Sequence, residues 1–488
     1  MTDDSSPGFF SRLRKILWPI ERGEYRKLLP MLGIYFFAAF AYHILRDIKD
    51  TLIITAEFSG AEVIPFLKVW AVLPAAVICT FSFNKLFNRY RYESVGAIII
   101  SCFVSFLLLF IFVLYPNRDA LHLHSFASFL EGILPRGFGG FIMMIRYWSF
   151  SLFYIVSEMW GVMVLSLFFW RFINDSTAIG EAPRFYPLIL LSGNCSGIFS
   201  GPISYYVSHN IKSLIIGGDL WEQSLIILIF MSIVCGVIIV ALFRRLYTVS
   251  PYTCKGLTPS HKVKMSLKKN FACIMKSRAL LYITMLVLCY NVTNNLLEVL
   301  WKNQIRVLHP EPRDYNAYIN QVTMWIGIVS VALSLSMSGI FRRLGWTFVA
   351  MITPRILLWT SVIFLPLLLL RDSFAIGITA PLVLVVFMGS LQNVLMRASK
   401  YTLFDATKEI AFVSLTSEER RHGKSAIDGI GSRFGKSGGA LLSQGFLMVF
   451  GTLSASAPYI VGILMIAIIP SFLSSTKRLG RDIEGKTA

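Results

Sequence analysis

Charged residues are scarce in this chain of 488 residues, where they make up 15% of the sequence against about 25% in an ordinary soluble domain. Hydrophobic residues make up 55%, and the mean hydropathy is +0.64. Long apolar runs recur along the whole length, for example at 97–115 and 280–301. Each approaches the roughly 20 residues that a membrane-spanning helix requires. The composition therefore excludes a soluble globular protein and indicates a polytopic membrane protein.

Cysteine is also scarce, and its pattern predicts no chemistry. The seven cysteines have no regular spacing and fall mostly within apolar runs, where cysteine behaves as a small buried hydrophobic residue. We therefore expect neither a disulfide framework nor a metal site, and no cofactor. The first residues also lack the apolar core and cleavage site of a secretory signal peptide, so segment 1–27 is expected to lie in the cytoplasm.

A complete P-loop is absent as well. The triplet GKS occurs at 423–425 and 435–437, but a P-loop also requires a glycine five positions before the glycine of the triplet. This chain has Glu418 and Ile430 at those positions. The spacing excludes an ATP-driven pump, and no acid–base or metal constellation in the sequence predicts an enzyme.

Acidic residues are outnumbered, with 27 against 46 basic residues and a net charge of +19. The excess does not indicate a nucleic-acid partner, because the basic residues collect in alternate loops between the apolar runs. The loop at 244–278 is strongly basic, whereas the loops at 209–221 and 453–457 carry at most one lysine. This positive-inside distribution predicts a protein embedded in the lipid bilayer with both termini in the cytoplasm.

The apolar runs predict an all-α polytopic membrane protein with about twelve transmembrane helices. A basic cytoplasmic linker at 244–278 divides them into two six-helix halves, at 28–243 and 279–475, and a cytoplasmic tail follows at 476–488. This organisation is typical of the major-facilitator architecture, in which one half rocks against the other. The predicted spans are 28–47, 63–84, 94–115, 146–171, 185–208, 224–243, 279–301, 320–338, 347–369, 374–396, 428–452 and 456–475.

Four charged residues stand together at the predicted end of the first helix, and ionisable groups within a membrane are costly enough to be functional candidates. They are Arg46, Asp47, Lys49 and Asp50. One interpretation is a charged cap at the membrane interface, and the other is a cluster within a polar funnel. Arg46 and Asp50 are four residues apart and are candidates for a pair. Lys49 has no partner at that spacing, so we expect it to be freer to meet a ligand.

Glu158 is a solitary carboxylate within the apolar run of the fourth span. It is either a functional group or half of a buried ion pair with Arg146 or with another helix. In the seventh span, one polar stripe at helical spacing lines a cavity or a tight helix contact, since lipid cannot satisfy it. A pair between Glu298 and Lys302 is the simpler alternative. The stripe consists of Asn291, Asn294, Asn295, Glu298 and Lys302.

The glycine-rich stretch that contains both GKS triplets is expected to open the eleventh helix. Lys424 and Asp428 share one face with two glycines, and Lys424 alternatively extends to the cytoplasmic surface. Arg433 and Lys436 lie deeper and need partners. Basic groups in a central cavity suit an anionic substrate, because phosphate pairs strongly with lysine and arginine. The residues alone therefore predict a transporter of an organic anion.

Four motifs resemble the ADP/ATP translocase family of plastids and obligate intracellular bacteria such as chlamydiae and rickettsiae. They are LRDIKDTLIITAEFSGAEVIPFLKVW, SEMWGVMVLSLFFWRFIND, NNLLEVLWK and GKSAIDGIGSRFGKSGGAL. The resemblance implies nucleotide transport across a bacterial inner membrane through twelve helices. The functional residues that it implies are two lysines, with Arg46 or Arg433 beside them, for phosphate, and two glutamates for binding, gating or proton transfer. These lysines and glutamates are Lys49, Lys436, Glu158 and Glu298.

The sequence departs from the family pattern just before the first motif, where Ala41, Tyr42 and His43 stand in place of Asn-Tyr-Thr. Because an imidazole titrates near neutral pH, His43 is a candidate for proton coupling; a histidine bonded to a neighbouring helix is the alternative. The departure favours import of nucleoside triphosphates with protons. We expect the protein to be a monomer. Strict exchange of ATP and ADP, with phosphate, is the close alternative, and transport of another organic phosphate is a remote one.

Overall fold

The computed structural model describes residues 20, 22–178, 180–210, 219–249, 274–275, 277–371, 379–416, 419, 423, 427 and 432–484, and contains no strand within them. In this part of the chain twelve long helices follow one another, and ten of them are long and apolar enough to cross a membrane. The other two, α5 and α11, occupy the positions of the predicted fifth and eleventh spans. The helices are α1 Tyr25–Ile54, α2 Val63–Arg89, α3 Tyr92–Leu114, α4 Trp148–Ser176, α5 Ala182–Asn210, α6 Leu220–Val249, α7 Arg278–Leu308, α8 Pro312–Met337, α9 Arg343–Leu370, α10 Pro381–Val413, α11 Ser432–Phe450 and α12 Leu453–Glu484.

Several helices extend past their predicted ends, and the extensions of α1 and α10 carry charged residues into the bundle. The first span was predicted to end at 47, but α1 continues to Ile54, so its four charged residues do not cap the helix. The tenth span was predicted to end at 396, but α10 continues to Val413. Hydropathy underestimates the length of such helices, because a charged side chain lowers the mean hydropathy of the segment even when a partner compensates its charge.

Three of the spanning helices widen locally into π-helical turns beside charged residues. The turns cover Leu67–Val72 in α2, Gly161–Phe169 in α4 and Lys400–Phe404 in α10. Such turns are rare and occur frequently at functional sites, where they redirect side chains and permit local movement. The sequence analysis contained no signal for them.

Helices α1–α6 are called the first half below, and α7–α12 the second half. Glycines bring α5 and α8 close together. A Cβ atom at Gly201 would lie 2.7 Å from the carbonyl oxygen of Asn320, and one at Gly327 would lie 2.8 Å from the backbone nitrogen of Ile198. No side chain fits at these positions, so the backbones of α5 and α8 pack directly on each other. Small residues allow this kind of approach between membrane helices.

The halves are also joined at the end of the bundle where α1 ends. The Glu62 carboxylate accepts a hydrogen bond of 3.5 Å from the backbone N–H of Leu453, and burial raises the pKa of this carboxyl. Arg313, at the start of α8, donates to the carbonyl oxygens of Ser208 and His209 at the end of α5. These contacts hold the first half against the second at this end.

Candidate functional site

Lys49 lies at the centre of a buried cluster of charged residues, with 2% of its side chain exposed. Its ammonium group is 2.9 Å from Asp50 Oδ1 and 3.0 Å from Glu158 Oε1. It also lies 3.8 Å from the centre of the Tyr154 ring, a cation–π contact. The prediction that Lys49 is freer than its neighbours was therefore wrong, because the partners that hold it come from the next residue and from α4.

Asp50 connects the two halves of the protein. Its Oδ2 atom accepts a hydrogen bond of 2.7 Å from Lys302 of α7, and Lys302 also donates to Glu298 Oε1 at 2.6 Å. The predicted pair between Glu298 and Lys302 is confirmed. The predicted pair between Arg46 and Asp50 was wrong, since Asp50 is turned towards α7 and both of its oxygens bind lysines.

Arg46 instead joins a second link between the halves. Its Nε atom donates to Asp47 Oδ1 at 3.0 Å, and its guanidinium also donates to Thr323 Oγ1 of α8 at 2.8 Å. Thr323 in turn donates to Asp47 Oδ2 at 2.7 Å. The closed triangle of hydrogen bonds satisfies a buried carboxylate and ties α1 to α8.

Glu298 is the point where the most cations converge. Besides Lys302, its carboxylate lies 2.8 Å from the guanidinium of Arg397 of α10 and 3.6 Å from the ammonium of Lys68 of α2. Asn294 donates to it at 3.5 Å. Helices α7 and α10 of the second half and α2 of the first half thus meet at a side chain that is 9% exposed.

The sequence analysis did not select Lys68 or Arg397. Lys68 stands inside the predicted second span, so the rule that intramembrane charges are functional candidates identifies it once it is applied to every span. Arg397 was assigned to a basic loop because the tenth span was predicted to end one residue before it. Its selection required the knowledge that α10 continues to Val413.

Glu158 forms its ion pair with another helix, which confirms one of the two partners considered for it. Its partner is Lys49 of α1. The proposed pair with Arg146 was wrong, because the Arg146 guanidinium lies 2.9 Å from Glu131 in the segment between α3 and α4. About a quarter of the Glu158 side chain remains exposed.

The asparagines of the α7 stripe make the tight helix contact considered for them. Asn291 and Asn295 pack against Gly435 and Gly439 of α11, where added Cβ atoms would lie 2.9 Å from their side chains. Asn295 Oδ1 also accepts a hydrogen bond of 2.7 Å from Lys68. The stripe therefore makes a tight helix contact on one side and borders the charged cluster on the other.

The structure describes only part of what was predicted for the four candidate residues of the glycine-rich stretch. Arg433 and Lys436 belong to α11 by their backbones, whereas their side chains lie outside the described part of the chain. Lys424 and Asp428 lie outside the described residues altogether. Their roles as phosphate-binding or coupling residues stay predictions.

His43 lies on α1 where this helix faces α5. A Cβ atom at Gly197 of α5 would be 3.6 Å from its Nε2 atom, and its buried Nδ1 atom has no hydrogen-bond partner among the described residues. The site thus places the imidazole at a helix contact beside the charged cluster. Proton coupling through His43 stays a prediction.

A small pocket lies between the halves beside the cluster. Arg46 lines it from the first half, and Arg397 and Asn393 line it from the second. The buried Oδ1 atom of Asn393 has no hydrogen-bond partner in the described structure. The space inside the pocket is too small for a whole nucleotide. Its lining residues are Arg46, Asp47, Asp50, Trp301, Lys302, Ile319, Val322, Thr323, Ile326, Asn393 and Arg397.

The core of the cluster carries more positive than negative charge. Four cationic side chains, on α1, α2, α7 and α10, meet three carboxylates, on α1, α4 and α7. These cations are Lys49, Lys68, Lys302 and Arg397, and the carboxylates are Asp50, Glu158 and Glu298. A buried site with excess positive charge and exchangeable partners is suited to binding an anion.

The sequence pattern of the TLC ATP/ADP transporters matches residues 3–483. The chain belongs to this family. It is 41% identical to ADP,ATP carrier protein 1 of Chlamydia trachomatis over 97% of this chain and 91% of the relative. It is 35% identical to the chloroplastic ADP,ATP carrier protein 1 of Arabidopsis thaliana over 95% of this chain and 75% of the relative. The predicted resemblance is confirmed.

The fold of this TLC family member is also found among solved transporters. The structure is similar to a bacterial homologue of the iron transporter ferroportin in the inward-facing state, with a TM-score of 0.58. The two share 15% sequence identity, and the likeness covers 94% of this chain and 100% of the other. The likeness concerns the fold alone and confirms the predicted all-helical, major-facilitator-like membrane architecture.

Proposed function

We propose that this protein transports nucleotides across a bacterial inner membrane by alternating access, and that it exchanges ATP for ADP. The observation that carries the proposal is the cluster of four cations and three carboxylates where the two halves meet. Membership of the TLC ATP/ADP transporter family and the names of its relatives as ADP,ATP carriers support a nucleotide as the anion. The same names favour exchange over import of triphosphates with protons.

Phosphate oxygens can replace the carboxylates that hold the cations. Lys49 and Lys302 each contact two carboxylate oxygens within 3.0 Å, and Arg397 contacts one. A triphosphate offers more acceptor oxygens and more negative charge than any single carboxylate, and arginine and lysine bind phosphates strongly. Asn393 Oδ1, the unpartnered acceptor in the pocket wall, is suited to a ribose hydroxyl.

Binding of this kind would loosen the links between the halves. The bonds from Lys302 to Asp50, from Arg397 to Glu298 and from Thr323 to Asp47 all join helices that meet at the cluster. The first and third of them connect the first half to the second. The pocket has to enlarge before it accepts a whole nucleotide, so these links must open during binding.

The same arrangement accounts for exchange. Without an anion, reorientation would separate buried cations from their carboxylates and leave both unpaired, at a cost of several kcal/mol for each broken pair. With a nucleotide bound, the phosphates supply the missing negative charge during the movement. The empty carrier then reorients slowly, and each nucleotide carried inwards is followed by one carried outwards.

Net import of nucleoside triphosphates with protons is the second candidate, because His43 lies beside the cluster with an unpartnered Nδ1 atom. In both cases we propose a monomer. We also propose that both termini lie in the cytoplasm, as the positive-inside distribution predicts. Phosphate as the partner in exchange is an outcome of the experiment, and another organic phosphate as the substrate is the alternative left if no nucleotide is taken up.

The experiment is uptake of labelled ATP, GTP, CTP and UTP by the full-length protein in lipid vesicles. Vesicles loaded with ADP, vesicles loaded with phosphate and empty vesicles under an inward proton gradient are compared. Uptake that depends on internal ADP supports exchange, whereas gradient-driven uptake into empty vesicles supports import with protons. Absence of uptake of every nucleotide, from protein shown to be inserted, refutes the proposal.

The matched variants are Lys49→Gln, in the cluster, and Lys27→Gln, near the start of α1. Lys27 also pairs with a carboxylate, Glu181, at 2.6 Å, but both residues belong to the same half. The Lys49 variant is expected to lose nearly all uptake, and the Lys27 variant to keep it. Equal uptake by both variants contradicts a role for the cluster in binding.

A further inference from the structure

Two tyrosines lie one helical turn away from the two arginines of the pocket. Tyr42 precedes Arg46 by four residues on α1, and Tyr401 follows Arg397 by four residues on α10. Successive spanning helices run in opposite directions, so α1 and α10 are antiparallel. Both tyrosines are therefore displaced from their arginines towards the same end of the bundle, by about 6 Å in each helix.

Tyr401 is 41% exposed, and its hydroxyl group has electrostatic neighbours on both halves. On α1, Tyr35, Tyr42 and Arg46 all lie within electrostatic range of its hydroxyl group. On the side of the second half, Tyr290 of α7 does as well. A tyrosine turned towards lipid would not have these interior groups around its hydroxyl, so its exposed area opens into the interior.

Both rings are held by their surroundings. A Cβ atom at Gly161 of α4 would lie 2.8 Å from the Tyr42 ring, so α4 supports that ring closely. The Lys400 ammonium lies 4.8 Å from the centre of the Tyr401 ring, and its other partner is Asp405 at 3.3 Å. Tyr401 and Lys400 belong to the π-helical turn of α10, which places two successive side chains beside the same space.

We propose that Tyr42 and Tyr401 form an aromatic subsite that stacks on the nucleobase of the substrate while the arginines and Lys49 bind its phosphates. This inference rests on the proposed transport of nucleotides and adds the position of the base. Tyr42 and Lys49 are seven residues apart, which is about 10 Å along a helix and comparable to the length of a nucleotide from base to last phosphate.

The chemistry of the subsite suits a carrier that moves its substrate. Every base has a π face, so stacking on a tyrosine holds a base without a full set of directional hydrogen bonds. Because the two rings come from opposite halves, movement of the halves changes the distance between the rings and therefore how strongly they stack on the base. The subsite is thus expected to contribute affinity and only modest preference among bases.

The test compares two competitors of labelled ATP uptake into ADP-loaded vesicles. One is unlabelled ATP, and the other is inorganic tripolyphosphate, which has the phosphates and no base. In Tyr401→Leu, the concentration of ATP that halves uptake is expected to rise about tenfold, within the range that loss of one stacking contact produces. The corresponding concentration of tripolyphosphate is expected to stay within about twofold of wild type, since the cations are untouched.

Two variants serve as controls. Tyr401→Phe keeps the ring and is expected to keep the affinity for ATP. Tyr206→Leu removes a tyrosine that is 60% exposed on α5 and is expected to change neither competitor. Unchanged competition by ATP in Tyr401→Leu overturns the proposal, and so does an equal loss for ATP and tripolyphosphate, because that result places Tyr401 with the phosphates or the fold.

A second measurement covers the case in which Tyr401→Leu does not reach the membrane. In Tyr401→Trp, ATP is expected to quench more tryptophan fluorescence than it does in wild type, whereas tripolyphosphate is not. Equal quenching by ATP in both proteins overturns the aromatic subsite. Failure of the wild-type protein to take up any nucleotide is a different result, because it refutes the proposed function itself.

Discussion

Replacement of Asp50 by asparagine tests whether the links between the halves enforce exchange. Asp50 binds Lys49 at 2.9 Å and Lys302 at 2.7 Å, and the three side chains are 2–4% exposed. Asparagine has a similar shape but no charge and only one oxygen acceptor. At least one charge-assisted hydrogen bond is lost, and such bonds contribute about 1.5–3 kcal/mol each.

A loss of about 2 kcal/mol corresponds to a shift of roughly 30-fold in the equilibrium between joined and separated halves. The cost of moving the empty carrier falls by the same amount, so Asp50→Asn is expected to leak. The assay is the ratio of ATP uptake into empty vesicles to uptake into ADP-loaded vesicles, which should rise by up to about 30-fold. Asp50→Glu keeps the charge and should raise the ratio less.

The matched control is Glu181→Gln, which removes a carboxylate that pairs with Lys27 within the first half. This variant is expected to keep the wild-type ratio, since no link between the halves is changed. If Asp50→Asn also keeps a strict requirement for internal ADP, with wild-type KM and maximal rate, the bond from Asp50 to Lys302 does not control exchange. The reasoning about the empty carrier is then wrong.

Further predictions concern the cluster, the proton and the contact between the halves. Lys49→Ala is expected to abolish uptake in inserted protein, and wild-type uptake would contradict the phosphate role. Arg397→Gln is expected to raise the KM for ATP about tenfold, since a charged hydrogen bond is lost; an unchanged KM would exclude Arg397 from binding. Under exchange without protons, His43→Asn should leave the pH profile of uptake unaltered, whereas a flattened profile favours proton coupling. Gly201→Ala is expected to lower the thermal unfolding temperature by several degrees, because its Cβ atom would meet a backbone oxygen at 2.7 Å; Gly462→Ala, which has open space, is the control, and equal temperatures would refute the close packing.

Much of the candidate site could be predicted from the sequence, as charged residues within or next to predicted membrane spans. Glu158 and Glu298 stand inside predicted spans and Lys49 stands just past the end of one, and the cost of a charge in a membrane marked each of them. The structure brings these three residues, from three different helices, into one cluster. Local composition was sufficient for their selection, because the cost of a charge in lipid depends mainly on the residues around it in the chain.

The partners were not predictable in the same way. Spacing along α1 suggested that Arg46 binds Asp50, but Asp50 binds Lys302, which is 252 positions away. Helical spacing describes only neighbours on one helix, whereas a buried carboxylate pairs with whichever cation packing brings nearest. Arg397 was missed for a related reason, since its charge made the end of α10 look like a loop.

The sequence by itself determined that this chain spans a membrane, which runs become helices, and which side chains are too polar to face lipid. These properties follow from the transfer of each residue from water to hydrocarbon, and that transfer is a local quantity. Only the tertiary structure decided which charges neutralise one another and where the halves touch. Those features depend on distances between residues that are far apart in the chain, and packing of the helices sets these distances.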